Sequence, residues 1–107
     1  MSPPYTAPEV FTRNLAGVSG EIDDEKKSDV YSFSIIVWEM MSREQPWENM
    51  SAQEIEFNVR NGSRPKSPKT NSNIILDNLL KLIQVCWKDS INDRPSFKQI
   101  KDTLELY

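Results

Sequence analysis

Lys27-Ser28-Asp29-Val30-Tyr31-Ser32-Phe33-Ser34-Ile35-Ile36-Val37-Trp38-Glu39 is the stretch on which the fold turns. It reads as a helix from Asp29 to about Arg43, with Ser28 as its cap, because a serine hydroxyl can accept from an otherwise unpaired N–H. Val30, Phe33, Val37 and Met40 recur at helical spacing and mark one face. Tyr31, Ile35, Ile36, Trp38 and Met41 cover most of the rest. A helix that is apolar nearly all round is expected to be surrounded by protein, so this one is read as the central element. Pro46 prevents its continuation.

Downstream, Ser51 is placed to cap a helix running to about Arg60 and stopped by Asn61-Gly62. Ala52, Ile55 and Val59 form its thin apolar stripe, and Phe57 lies off that stripe. Residues 63–73 carry Pro65 and Pro68 among small polar residues and read as a loop. Its Ser67-Pro68 pair matches a phosphoacceptor pattern, although serine and proline are also ordinary turn residues. Leu76, Leu79, Leu80, Ile83, Cys86 and Trp87 then keep the i, i+3, i+4, i+7 pattern of an amphipathic helix. Cys86 on that stripe reads as a small buried hydrophobe. A polar turn comes next. Ser96 and Gln99 make a capping box for a last helix whose apolar face is Phe97, Ile100 and Leu104.

Upstream, residues 14–27 are polar, and the acidic and basic run that ends in Lys27 reads as a solvated loop. The proline-rich first residues are extended, and Pro8 can open a short helix through Glu9-Val10-Phe11. There is no internal repeat and no convincing strand. The fold class is therefore all-α.

Composition narrows the function. The chain has 107 residues and a net charge of −3, which gives no reason to expect a nucleic-acid or anionic-membrane partner. Cys86 is the only cysteine, and there is no histidine. An internal disulfide, histidine acid–base chemistry and most zinc sites are thereby excluded within these residues. The start carries no basic segment leading into an apolar run, so a signal peptide is not expected, and a reducing, cytoplasmic setting is the simpler reading. Three glycines cannot build either of the common phosphate-cradling loops. The residues alone imply no bound cofactor and no metal.

Four motifs change the picture when taken in order. Ala7-Pro8-Glu9 matches the Ala-Pro-Glu that closes the activation segment of protein kinases. Ser28-Asp29-Val30-Tyr31-Ser32-Phe33-Ser34 resembles the kinase stretch Ser-Asp-Val-Tyr/Trp-Ser-Phe-Gly. Gln45-Pro46-Trp47 comes after it, as in tyrosine and tyrosine-kinase-like families. Cys86-Trp87 and Asp93-Arg94-Pro95-Ser96-Phe97 resemble the last block of the same families. The chain thus resembles the C-terminal part of a kinase catalytic domain, a partial C-lobe. Residues 1–13 would be the end of the activation segment, 28–43 the central helix, and 51–60, 75–87 and 96–106 the later helices.

The resemblance implies roles. Glu9 would pair with Arg94, alongside Ala7 and Pro8 as a structural motif. Asp29 would open the central helix and, in the family, accept hydrogen bonds from the catalytic loop. Ser2, Tyr5 and Thr6 would belong to the loop that receives the substrate. Ser2 stands where serine/threonine kinases carry threonine and tyrosine kinases proline. The Trp-containing motifs resemble tyrosine kinases, and the mixture points to the tyrosine-kinase-like group. Phe57 would face outward on a helix that often contacts other proteins. Ser34 departs from the family's glycine. The phosphate-binding lysine, metal-binding groups and catalytic aspartate that kinase chemistry needs lie before Ala-Pro-Glu in the family and are not found here. ATP and magnesium are thus expected only for an intact kinase, the chain alone is expected to be inactive, and Met1 is expected to fall inside a longer domain. The expected partners are the remainder of that domain and its protein substrate. Self-association is also expected, through apolar surface exceeding the roughly few hundred Å² that a stable monomer exposes. A non-catalytic, pseudokinase-like interaction module is the alternative.

Overall fold

The computed structural model describes residues 2–16 and 22–107. Among the described residues there are five α-helices and no strand. They are α1 (Pro8–Ala16), α2 (Ile22–Ser42), α3 (Ala52–Arg60), α4 (Ile74–Cys86) and α5 (Phe97–Leu104), with short 3-10 turns at Pro3–Tyr5 and Ile91–Asp93. α2 is the longest and packs along α4, while the Pro3–Tyr5 turn is held against α2 and α3.

The start of α2 corrects the sequence reading. The expected loop over residues 14–27 is interrupted by helix on both sides, since α1 runs on to Ala16 and α2 begins at Ile22. Ser28 is therefore not a cap but an interior residue of α2. The charged run has its acids before its lysines, the order that a helix N-terminus favours, and it contains no proline to prevent winding. α2 ends at Ser42, where Arg43 turns to φ +58°.

The covered face of α2 also differs from the expected one. Tyr31, Ile35 and Trp38 are buried, and they join Ala7, Phe11, Ile55, Val59, Ile83 and Trp87 in the main core. Of the face read from sequence, Val30 is buried with Cys86 and Ile100, Phe33 is only partly covered, and Met40 is 73% exposed. Ile36 is half-exposed. The central helix is thus covered on one side and open on the other.

Local signals at the later helices match their sequence. Ser51 accepts from the Glu54 N–H and the Glu54 side chain accepts from the Ser51 N–H, closing a capping box on α3. Gly62, at φ +89°, lies just past the end of that helix, where a residue with a Cβ would be strained. Asn73 caps α4 by accepting from the N–H groups of Ile75 and Leu76. Ser96 and Gln99 form the second capping box, on α5. Ala52 is exposed, so the α3 stripe reduces to Ile55 and Val59. On α5 only Ile100 is buried, and Phe97 stands edge-on to Phe33 with ring centroids 5.9 Å apart.

Candidate functional site

Arg94 is the hub of the site. Its side chain is fully buried, and Nη2 and Nη1 donate to the two carboxylate oxygens of Glu9 at 2.7 and 2.8 Å. Nε donates to the Lys88 carbonyl at 2.8 Å, Nη1 also to the Lys27 carbonyl, and Nη2 to that of Asp89. A guanidinium has five N–H donors in a fixed plane, and all five find oxygen here. Lys27 Nζ in turn donates to the Arg94 carbonyl. The arginine therefore joins α1, α2 and the turn before α5, elements distant in sequence. A lysine, with one point of attachment and no plane, could not reproduce this.

The carboxylate end is equally supported. Ser28 Oγ donates to Glu9 Oε2 at 2.6 Å and accepts from Arg13 Nη2 at 3.2 Å. Burial pushes the Glu9 carboxyl up, but the Arg94 guanidinium and the Ser28 hydroxyl outweigh it and hold the group below its ordinary range. One turn along α2 from Ser28, Ser32 Oγ donates to the Tyr5 carbonyl at 2.7 Å. Spacing of four residues places both serines on one helix face, so α2 holds the segment from Tyr5 to Glu9 at two points. Ala7 is buried between them and Pro8 opens α1.

The segment before that is shaped by its own bonds. Thr6 is buried and donates to the Ser2 carbonyl at 2.9 Å, and the Tyr5 N–H donates to the same carbonyl at 3.0 Å. Ser2 is exposed at the outer end of this turn. Tyr5 is half-buried, and its phenol is pushed up by a hydrogen bond to the Glu39 carboxylate.

Behind Arg94 lies Tyr31, wholly buried, with its ring 5.4 Å from the Arg94 guanidinium and 5.1 Å from that of Arg64. Both cations meet the electron-rich ring. Burial pushes the Tyr31 phenol up to about 12, against the pull of the two arginines. Arg64 is itself anchored to the Trp87 carbonyl at 2.7 Å and to Asp89 Oδ1 at 2.5 Å. Sequence reasoning does not single out Ser28, Ser32, Tyr31 or Arg64 as site residues. The signals for the serines are their spacing of four along one helix and their place in the kinase-like stretch from Ser28 to Ser34.

The remaining candidates stand apart. Asp29 is exposed and lies in the interior of α2, not at its start, beside an open cavity of about 760 Å³ lined also by Lys26, Lys27, Ser96 and Lys98. Phe57 is 69% exposed on α3, away from the Glu9–Arg94 pair. Cys86 is buried, and burial pushes its thiol up to about 12, which keeps it protonated and inert at neutral pH. Among the described residues no group of three or more Asp, Glu, Cys or His is arranged to hold a metal ion. No helix among them is long and apolar enough to cross a membrane.

The family model of protein tyrosine and serine/threonine kinases matches residues 1–104. The chain is 37% identical over 101 residues to a probable LIM domain-containing serine/threonine-protein kinase of Dictyostelium discoideum, covering 94% of this chain and 9% of that protein. It is 38% identical over 102 residues to a seven transmembrane domain-containing tyrosine-protein kinase of the same organism, covering 94% of this chain and 14% of the relative. It is 36% identical over 108 residues to atrial natriuretic peptide receptor 2 of Rattus norvegicus, covering 96% and 10%. The chain belongs to the protein tyrosine and serine/threonine kinase family. It spans about a tenth of the length of the curated relatives it matches.

Proposed function

We propose that this chain is the substrate-side base of a cytoplasmic protein kinase that moves the γ-phosphate of ATP to serine or threonine hydroxyls of proteins. The observation that supports this reading is the five-donor knot at Arg94, which ties Glu9, at the end of the segment from Ser2, to the Lys27 carbonyl on α2. Catalysis by positioning needs such a rigid support. In this reading Ser2, Tyr5 and Thr6 present the acceptor residue, with Ser2 favouring a serine or threonine. Glu9 and Arg94 are positioning residues, and Asp29 receives the catalytic loop. ATP and magnesium bind to other parts of the domain, so the isolated chain has no turnover of its own.

The test is the intact protein, incubated with magnesium ATP and matched peptides whose acceptor is serine, threonine or tyrosine. Transfer to serine and threonine is expected, and Arg94→Lys should lower it by lowering kcat. Transfer to tyrosine alone would overturn the specificity, and magnesium-dependent ATP turnover by the isolated chain would overturn the division of labour.

A second reading is favoured by the exposure of Phe57. In it the region is a non-catalytic module that docks a protein partner through α3. An intact protein inactive on all three peptides, but losing a bound partner on Phe57→Ala, would favour that account.

A further inference from the structure

Residues 63–70 join α3 to the turn before α4 and form neither helix nor strand. They are pinned at three places. Arg64 donates to the Val59 and Trp87 carbonyls, Trp38 Nε1 donates to the Lys66 carbonyl at 2.7 Å, and Thr70 Oγ1 donates to Asp77. Between the second and third of these anchors Ser67 is exposed, and its hydroxyl has no hydrogen-bonded partner among the described residues. Pro68 comes next and disfavours the helical conformation at Ser67. Ser67 is thus presented in an open segment, with its backbone held and its hydroxyl unengaged.

The charges around it are suited to a phosphate. Lys66 and Lys69 flank the serine–proline pair, and both line the same shallow cavity of about 320 Å³ as Ser67, Met41 and Ser42. Glu44 is the one acidic group lining that cavity. A phosphoserine carries about −1.5 to −2 charges and three strong acceptor oxygens, so the two ammonium groups beside it can offset its charge, with Glu44 as the one opposing group.

We propose that Ser67 is a phosphoacceptor for a separate, proline-directed protein kinase, one whose substrate groove takes an extended serine–proline pair next to a cation. The Ser67 Oγ attacks the γ-phosphorus of ATP supplied with that enzyme. The Oγ–P bond forms as the bond between the γ-phosphorus and the bridging oxygen breaks. ADP leaves with the electron pair, and the hydroxyl proton passes to the modifying enzyme's base. The proposal is independent of the function proposed above, because here the chain accepts a phosphate.

A second serine–proline pair in the chain provides the control. Ser2 is also exposed, but Pro3 lies in a 3-10 turn, and the Ser2 carbonyl accepts from Tyr5 and Thr6. An enzyme that needs an extended substrate would have to unwind that turn before binding it. Sequence pattern alone treats the two pairs alike, whereas the fold presents only one.

The test incubates the full chain with a purified proline-directed serine/threonine kinase and magnesium ATP, and maps the phosphate by fragmentation mass spectrometry. A single phosphate on Ser67 is expected. It should fall to background in Ser67→Ala and in Pro68→Ala, and persist in Ser2→Ala, with circular dichroism unchanged in all three. Incorporation that survives Ser67→Ala or Pro68→Ala, a phosphate on Ser2 instead, or no incorporation at all would each overturn it. So would labelling of a free peptide covering residues 63–70 without labelling of the folded chain, since the fold would then hide the site.

Discussion

The two sides of α2 have nearly the same apolar content and opposite fates. On one side Tyr31, Ile35 and Trp38 are between 0 and 4% exposed; on the other Ile36 is 49% and Met40 73% exposed. The difference lies in the polar atoms between them. On the covered side Ser28, Ser32 and the Trp38 indole all reach outside the helix, to Glu9, the Tyr5 carbonyl and the Lys66 carbonyl. Ser34, wholly buried, is instead satisfied within the helix, donating to the Tyr31 carbonyl at 2.5 Å, and the open side carries only apolar side chains at Phe33, Ile36, Val37 and Met40. Phe33, Val37 and Met40 there face Leu79, Leu82 and Leu104 across an apolar cavity of about 280 Å³. Apolar surface makes a helix face adhesive, but the directional bonds decide which neighbour is fixed to it and in what register.

The largest effect should therefore come from breaking the covered side at its hub. Arg94→Ala leaves the Glu9 carboxylate partly buried without its cation, and losing one partner of a buried pair costs about 3–5 kcal/mol. Urea unfolding should show a correspondingly lower midpoint. Glu9→Ala added to Arg94→Ala should cost little more, because the uncompensated charge is removed with it. The pH dependence has a definite sign. Glu9 is held below its ordinary value of 4.5, so its contribution to stability is complete above that value and is lost as pH falls through the lower folded value. Glu9→Gln should flatten the dependence of the unfolding midpoint on pH in that window.

A smaller effect is expected one turn along the same face. Ser32→Ala removes the donor to the Tyr5 carbonyl and leaves that acceptor short of a partner, a loss of about 1–3 kcal/mol. Hydrogen exchange should localise the change. The Tyr5 and Thr6 amides, which donate to Ser2 and Pro3, should lose protection while the α4 amides keep theirs. Equal loss in α4 would mean that the serine supports the whole core and not the loop.

Much of this is legible in the chain and some is not, for physical reasons. The all-α class, the Ser51 cap, the Ser96–Gln99 capping box and the stop at Asn61-Gly62 are local. Each is written within a few neighbouring residues. The pairing of Glu9 with Arg94 spans 85 positions, and no spacing rule reaches across that distance; only the resemblance to kinases suggests it. The start of α2 escapes the pattern because a run of charges has the composition of a solvated loop, while its helical register is set by the apolar residues from Val30 onward. Ser28 looks like a cap for the same reason, although its partners lie on α1. The choice of covered face on α2 is beyond the pattern altogether, since a helix apolar on both sides has no preferred one until Tyr31 meets its two arginines and Trp38 meets Lys66.

The smallest effect on stability should come from the open side, and there it separates two properties that usually move together. Met40 is 73% exposed, and surface substitutions of this kind stay within about 0.5 kcal/mol. Met40→Gln should leave the unfolding midpoint of the isolated chain almost unchanged. Yet the cavity beside Met40 is lined by side chains such as Phe33, Leu79 and Leu104, and exposed apolar surface of this kind drives association. Light scattering of the isolated chain should show a dimer or larger species that shifts toward monomer on Met40→Gln. If the parent chain is already a monodisperse monomer, the open side is not adhesive enough in water to self-associate. If the variant instead unfolds, Met40 belongs to the core, and the contrast between the two sides of α2 fails.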